Sequence, residues 1–164
     1  MSNNSLFNIV PVRSIEDLEA TVNLFRSYAE SLGIDLAFQN FENEMATMPG
    51  KYVPPTGELL LARNSQGEPI GCVGLRTLGS LGSRCCEMKR LYILPKARGF
   101  GVGKALVKAI LDTARTLGYH EIKLDTLPNM EAAIGLYKKL GFVETKAYYD
   151  TPLEETIFLV CSLR

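Results

Sequence analysis

The chain has 164 residues, 46% of them hydrophobic, which is one domain's length with enough apolar side chains for a core. Eighteen Lys and Arg balance eighteen Asp and Glu, so the one-signed field that draws proteins onto nucleic acids or anionic membranes is missing, and neither is expected as a partner. The opening MSNNSLFNIV lacks a basic segment followed by a long apolar one, and no later stretch approaches the roughly 18 apolar residues of a membrane span, so a cytoplasmic location is expected.

In chain order, Phe7 to Arg13 alternates as a first strand, and Ser14 with Asp17 three positions on is a variant capping box that predicts a helix start. Leu18, Val22, Phe25, Ala29 and Leu32 recur at spacings of three and four, an apolar helical face that ends at Gly33. Phe38 to Met48 predicts a shorter helix, with Phe38, Phe41 and Met45 aligned and Glu42 and Glu44 flanking them. Three prolines and two glycines keep Pro49 to Gly57 out of any ladder, so a loop precedes the strand Glu58 to Asn64. A turn at Ser65-Gln66-Gly67 leads into Pro69 to Leu78, and Gly79 to Gly82 turns into a further strand, Arg84 to Leu94. A helix (Val102 to Leu117), a strand (Glu121 to Thr126), a helix (Asn129 to Leu140) and two strands (Phe142 to Tyr148, Glu155 to Leu163) complete the chain. Antiparallel neighbours followed by a strand-helix-strand crossover predict one α/β (α+β) domain: a mixed, mostly antiparallel sheet of about seven strands flanked by about four helices.

Cys72, Cys85, Cys86 and Cys161 form neither C-x-x-C pairs nor a Cys/His cluster, and His120 is the only histidine, so reduced thiols and no metal site are expected. Cys85 and Cys86 are adjacent in a strand and point to opposite faces, one of them into the core. His120 falls at a helix-to-strand turn and reads as a solvated side chain.

The stretch RGFGVGKAL, Arg98 to Leu106, sets glycines at 99, 101 and 103 before an amphipathic helix. The first amides of a helix lack intrahelical partners and attract anions, and glycines remove the Cβ atoms that would hold a pyrophosphate away. Arg98 and Lys104 would add cationic contacts. A Walker loop would need glycine where Arg98 stands and Ser or Thr where Ala105 stands, and a dinucleotide loop starting at Gly99 would need glycine at Lys104, so both are disfavoured. A plain glycine-rich turn is the alternative.

MKRLYILPKARGFGVGKALV, with R-x-x-G-x-G at Arg98, Gly101 and Gly103, resembles the acetyl-CoA signature of the GCN5-related N-acetyltransferases, the GNAT family. AAIGLYKKLGF, Ala132 to Phe142, resembles that family's second signature, and the element order fits its fold over nearly the whole chain. The resemblance implies a GNAT-like domain that uses acetyl-CoA, without a metal, to acetylate a primary amine by direct attack. It further implies that the Arg84 to Leu94 strand and its successor splay apart, with pantetheine along the backbone of Leu91, Tyr92 and Ile93. The diphosphate would lie on Arg98, Gly99, Phe100, Gly101, Val102, Gly103 and Lys104. A bulge near Arg90 and Leu91 would expose an amide to the thioester oxygen.

By the same resemblance, Glu87, six residues before Ile93, is the candidate general base, acting directly or through water, and an apolar setting would raise its pKa. The alternative is a strand glutamate paired with Lys89 or Arg90. Tyr137 matches the general acid that protonates the departing sulfur; alternatively it is a core aromatic packed with Ile134 and Leu140. Seven residues before that tyrosine the family often has a cofactor-binding asparagine, where this chain has Met130. Asn129 reads first as a helix cap and second as a cofactor contact. An acetyl-cysteine route through Cys86 is disfavoured, because adjacency in a strand separates its side chain from Glu87.

The family's acceptor site implies Leu36 to Tyr52 and Tyr148 to Glu155 as specificity segments. Phe38, Gln39, Phe41, Glu42 and Tyr149 are the candidate lining for a small-molecule amine or a peptide, and Glu42 with Glu44 would favour a cationic acceptor. A homodimer is compatible with this reading. A non-catalytic acyl-CoA sensor, and an enzyme with another acyl donor or a hydroxyl acceptor, are the competing functions.

Overall fold

A computed structural model describes residues 6–80 and 83–164, so Leu81 and Gly82 of the expected 79–82 turn and the residues ahead of Leu6 lie outside the described residues. The elements are β1 (Phe7–Pro11), α1 (Ile15–Leu32), a 3-10 turn (Leu36–Gln39), α2 (Phe41–Ala46), β2 (Glu58–Asn64), β3 (Pro69–Thr77) and β4 (Cys85–Ile93). There follow a second 3-10 turn (Pro95–Ala97), α3 (Val102–Thr116), β5 (Glu121–Thr126), α4 (Glu131–Lys139), β6 (Val143–Thr145) and β7 (Ile157–Ser162). One seven-stranded sheet has the order β1-β2-β3-β4-β5-β7-β6. Among the described residues only β4 and β5 pair in parallel, as the mixed sheet read from the sequence requires.

The alternation of β2 shows why the sheet is covered on both faces. Leu60 and Ala62 join the core beneath α3 and α4, with Leu106, Ile110 and Phe142. Leu59 and Leu61 join the core beneath α1 and α2, with Leu24, Phe25, Phe41 and Tyr52. Successive strand side chains point to opposite faces, so ELLLA serves both layers. Helix α1 begins as expected, with the Ser14 hydroxyl accepting from the Asp17 amide at 3.1 Å, and ends at Gly33 in the left-handed conformation, φ 65.

Several element ends shift by one or two residues from the sequence reading, and three differences go further. The Phe38 to Met48 helix is broken at Asn40, whose φ of 57 separates the 3-10 turn from α2. Asn129 is not the cap of α4: that position falls to Met130, without a side-chain bond. The Phe142 to Tyr148 strand shrinks to the three residues of β6, because Tyr148 and Tyr149 turn inward and pack edge-on against Phe158 at 5.2 and 5.4 Å.

Candidate active site

Beyond Glu87 the sheet forks. β4 and β5 are paired only over Cys85–Glu87 with Glu121–Lys123. On the opposite edge of β4, Lys89 faces Gly74 and Tyr92 faces Cys72, so Arg90 and Leu91 together oppose Val73. This is a bulge at the expected place, and Arg90 holds its left-handed turn with φ 60. A bulge bends its strand and re-aims the side chains after it. Leu91 and Ile93 therefore return to the α3 side, while Arg90 shares the α1/α2 side with Lys89, its guanidinium 5.1 Å over the Phe41 ring.

At the mouth of the fork, Gly99 and Gly101 take φ 89 and 84, and nothing lies within 4 Å of where a Cβ would stand on either. Gly101 opens α3 without a side-chain cap. The first intrahelical bond runs from the Ala105 amide to the Gly101 carbonyl at 3.0 Å, so the amides of Val102, Gly103 and Lys104 precede the ladder. A Cβ on Gly103 would stand 3.3 Å from Ile93 Cδ1; its absence lets α3 start against β4. Arg98, expected as a cationic contact, is tied to the end of β4: Nε donates to the Ile93 carbonyl at 3.0 Å and the guanidinium lies 5.8 Å from the Tyr92 ring centre.

The loop, the end of β4 and the start of α4 bound a cleft of ≈ 590 Å³. Every residue expected at the cofactor lines it except Phe100, which stands 60% exposed away from the lining. A smaller cavity of ≈ 40 Å³ adjoins this cleft, sharing Tyr28, Leu32, Leu91 and Met130 with it. Tyr28 and Tyr92 meet edge-on at 6.1 Å across the junction, and burial pushes the Tyr28 phenol up to about 12.

Tyr137 is at once a core aromatic and a cavity-lining side chain. Its ring packs 5.6 Å from Phe142 in the core and its side chain also lines the small cavity. The hydroxyl has no protein partner among the described residues, and burial raises its pKa, so the phenol is a protonated donor at neutral pH.

Glu87 is placed otherwise than expected. It is 2% exposed, it does not line the cavity, and its setting is polar rather than apolar. Arg76 Nε donates to Oε1 at 3.0 Å and the Tyr148 hydroxyl to Oε2 at 2.6 Å. Its partners are thus neither Lys89 nor Arg90. Tyr148 stands against it, and the carboxylate in turn pushes the Tyr148 phenol further up than burial alone does.

Of the expected acceptor residues, Phe38, Gln39 and Tyr149 line the small cavity. Phe41 is buried in the α1/α2 core, and Glu42 turns outward to Arg26 at 3.2 Å. Glu44 is neutralised by Arg90 at 3.2 Å and Arg76 at 3.6 Å. The acidic pair expected to select a cationic acceptor therefore does not face the cavity.

Tyr28, Lys89, Arg90 and Asp125, all in the cavity wall, have no place in the acceptor site of the sequence reading. Tyr149 donates to Asp125 Oδ2 at 2.5 Å, and Gln39 Nε2 lies 3.4 Å from the same hydroxyl. Tyr28 carries the one signal that could have found it, since it stands three residues after Phe25 on the apolar stripe of α1. Cys86 is fully buried in the α3-side core and its thiol is raised by burial, so it is inert. Among the described residues no group of three His, Cys, Asp or Glu is arranged to hold a metal, and no helix is long and apolar enough to cross a membrane.

The sequence profile of the acetyltransferase (GNAT) family matches residues 18–142. An uncharacterised N-acetyltransferase of Schizosaccharomyces pombe is 40% identical over 159 residues, 97% of this chain and 96% of that protein. An uncharacterised N-acetyltransferase of Escherichia coli is 36% identical over 131 residues, covering 79% and 78% of the two chains. The crystal structure of a GNAT-family acetyltransferase from Staphylococcus aureus superposes with a TM-score of 0.78 over 96% of this chain and 99% of that one, at 20% identity, and so shares the fold.

Proposed function

The chain belongs to the acetyltransferase (GNAT) family, and from that premise we propose that it moves the acetyl group of acetyl-CoA onto a primary amine by direct attack inside the fork. The observation that carries this reading is the continuity of a glycine-lipped cleft with a small polar cavity at the β4 bulge. Acetyl-CoA would supply an acetyl thioester whose C–S bond breaks as the N–C bond forms; starting from the ammonium form of the acceptor, the products are an amide, a thiol and one proton.

The amides of Val102, Gly103 and Lys104, with Lys104 itself, would bind the diphosphate, which the side-chain-free Gly99 and Gly101 leave room to approach. The backbone of Leu91 to Ile93 would hold the pantetheine arm as an added strand, with the bulge amides near the thioester oxygen. Tyr137, kept protonated by burial, would donate to the departing sulfur. For the amine proton we favour Asp125, the carboxylate in the cavity wall, over Glu87, whose oxygens are already taken.

Thiol release from acetyl-CoA with a panel of primary amines tests this reading. At least one amine should raise the rate above the amine-free background, and Tyr137→Phe should lower kcat about 100-fold while acetyl-CoA still binds. A panel that never exceeds background, or a Tyr137→Phe enzyme with full kcat, would overturn it.

A further inference from the structure

If the parallel ladder of β4 and β5 continued past Glu87 and Lys123, the next pair on the same face would be Lys89 with Asp125. The fork opens at that step. Lys89 is 7% exposed and Asp125 is half-buried, yet neither forms an ion pair among the described residues. Of the other charges on this face, Arg76 pairs with Glu87 at 3.0 Å and Arg90 with Glu44 at 3.2 Å, while Lys123 sets its Nζ 5.7 Å from the Tyr148 ring centre, outside the cavity lining. Within the cavity lining this leaves one cation and one carboxylate outside the ion pairs of the described residues, Lys89 and Asp125, on opposite prongs.

A second group points the same way. The Arg90 side chain is 3% exposed, with Nε on Glu44 and Nη1 on Gln39 Oε1 at 2.9 Å. Its Nη2 is buried with no hydrogen-bond partner among the described residues. A buried guanidinium donor without an acceptor is costly unless something supplies one. Among the described residues Lys89 Nζ reaches only Gln39 Oε1, at 3.4 Å. From this cationic end the wall runs through Gln39 and Tyr149 to Asp125.

We propose that the acceptor is an amino acid or an amino-acid-like compound, its carboxylate held by Lys89 and Arg90 Nη2 and its amine presented at Asp125. The site is polarised from one end to the other, which suits a zwitterion and not a polyamine, whose second cation would meet Lys89. The cavity of ≈ 40 Å³ is about three water-sized positions, room for a carboxylate, with the remainder of the acceptor lying toward the cleft. Burial pulls the Lys89 pKa down against the opposing pull of Glu87 and Asp125, with Arg90 and Arg76 reinforcing the descent; a bound carboxylate would return it toward the charged form.

This inference rests on the acetyltransferase reading and can fail separately from it. Amino acids, the corresponding amino-acid amides and the decarboxylated amines are compared in two assays: calorimetric binding in the presence of coenzyme A, and thiol release from acetyl-CoA. The acids should bind and turn over about 10- to 100-fold better than their amides, the span of one charge-assisted bond. Lys89→Met should erase that preference and Lys89→Arg retain part of it, with acetyl-CoA affinity in each variant as the control for folding. Turnover of amides and amines at or above the acids, or an acid preference that survives Lys89→Met, overturns the inference and leaves the acetyltransferase reading standing. Acids that bind with the stated preference while no amine of any kind is acetylated overturn the acetyltransferase reading instead, and acids that do not bind overturn the inference whatever the turnover.

Discussion

Glu87→Gln separates a carboxylate that works on substrate from one that holds the wall behind it. The substitution keeps the shape but removes the charge opposite Arg76, and the side chain is 2% exposed. Breaking a fully buried pair costs about 3–5 kcal/mol, but the Arg76 side chain is 30% exposed and keeps Glu44 at 3.6 Å, so about 2 kcal/mol is the expected loss. In a chain of this length that lowers Tm by about 4–8 °C, readable by differential scanning calorimetry. Because Glu87 lies outside the cavity lining and is linked to it through Tyr148, whose ring packs 5.5 Å from that of the lining residue Tyr149, kcat should fall no more than about tenfold, whereas deleting a general base removes about 100- to 10,000-fold. Asp125→Asn should show the inverse: it breaks no ion pair, so Tm moves by about 2 °C or less, while kcat for the preferred amine drops by about 100-fold or more. A Glu87→Gln enzyme that melts like the parent and loses over 100-fold in kcat, beside an active Asp125→Asn enzyme, would refute the assignment and restore Glu87 as the base.

Gly101→Val tests the lip of the cleft: a β-branched residue forced to φ 84 should lose about 1–2 kcal/mol of stability in urea melts, and calorimetry should find coenzyme A affinity reduced at least tenfold. Burial raises the phenols of Tyr28, Tyr52, Tyr119, Tyr137, Tyr148 and Tyr149. Above about pH 10, where an exposed tyrosine ionises, the unfolded chain therefore binds fewer protons than the folded one, and stability should decline as pH rises through 10 to 12; Tyr28→Phe should shallow that decline, followed by circular dichroism. The thiols of Cys72 and Cys86, fully buried and raised by burial, should resist an aromatic disulfide reagent until denaturant is added, and Cys86→Ala should keep its turnover.

The fold was legible because its signals are local. The stripe of α1, the alternation of β2 and the glycine stop at Gly33 each follow from the chemistry of a few neighbouring residues, and the structure repeats them. The phosphate end of the site was legible for the same reason, as a loop and a helix start adjacent in sequence. The acceptor end draws on Gln39, Lys89, Asp125 and Tyr149, which lie on four separate segments and meet only through the sheet order. Asp125 in EIKLDT looks like any polar residue on the open face of a strand, and its value depends on the ladder ending two residues earlier, at Lys123.

The bulge itself left a trace in the sequence. Cys86 and Met88 face the apolar layer under α3, and strict alternation from them would send Arg90 into that same layer. A guanidinium has no acceptors there, and leaving it unpaired would cost several kcal/mol. Inserting one residue in the left-handed conformation brings Arg90 across to Glu44 and Gln39 and restores Leu91 and Ile93 to the apolar side. A charged residue at an inward position of an otherwise regular strand is thus a physical pointer to a bulge. In MKRLYI that pointer falls just past the step at which β5 parts from β4, and the arginine that makes alternation untenable is also one whose side chain lines the cavity there.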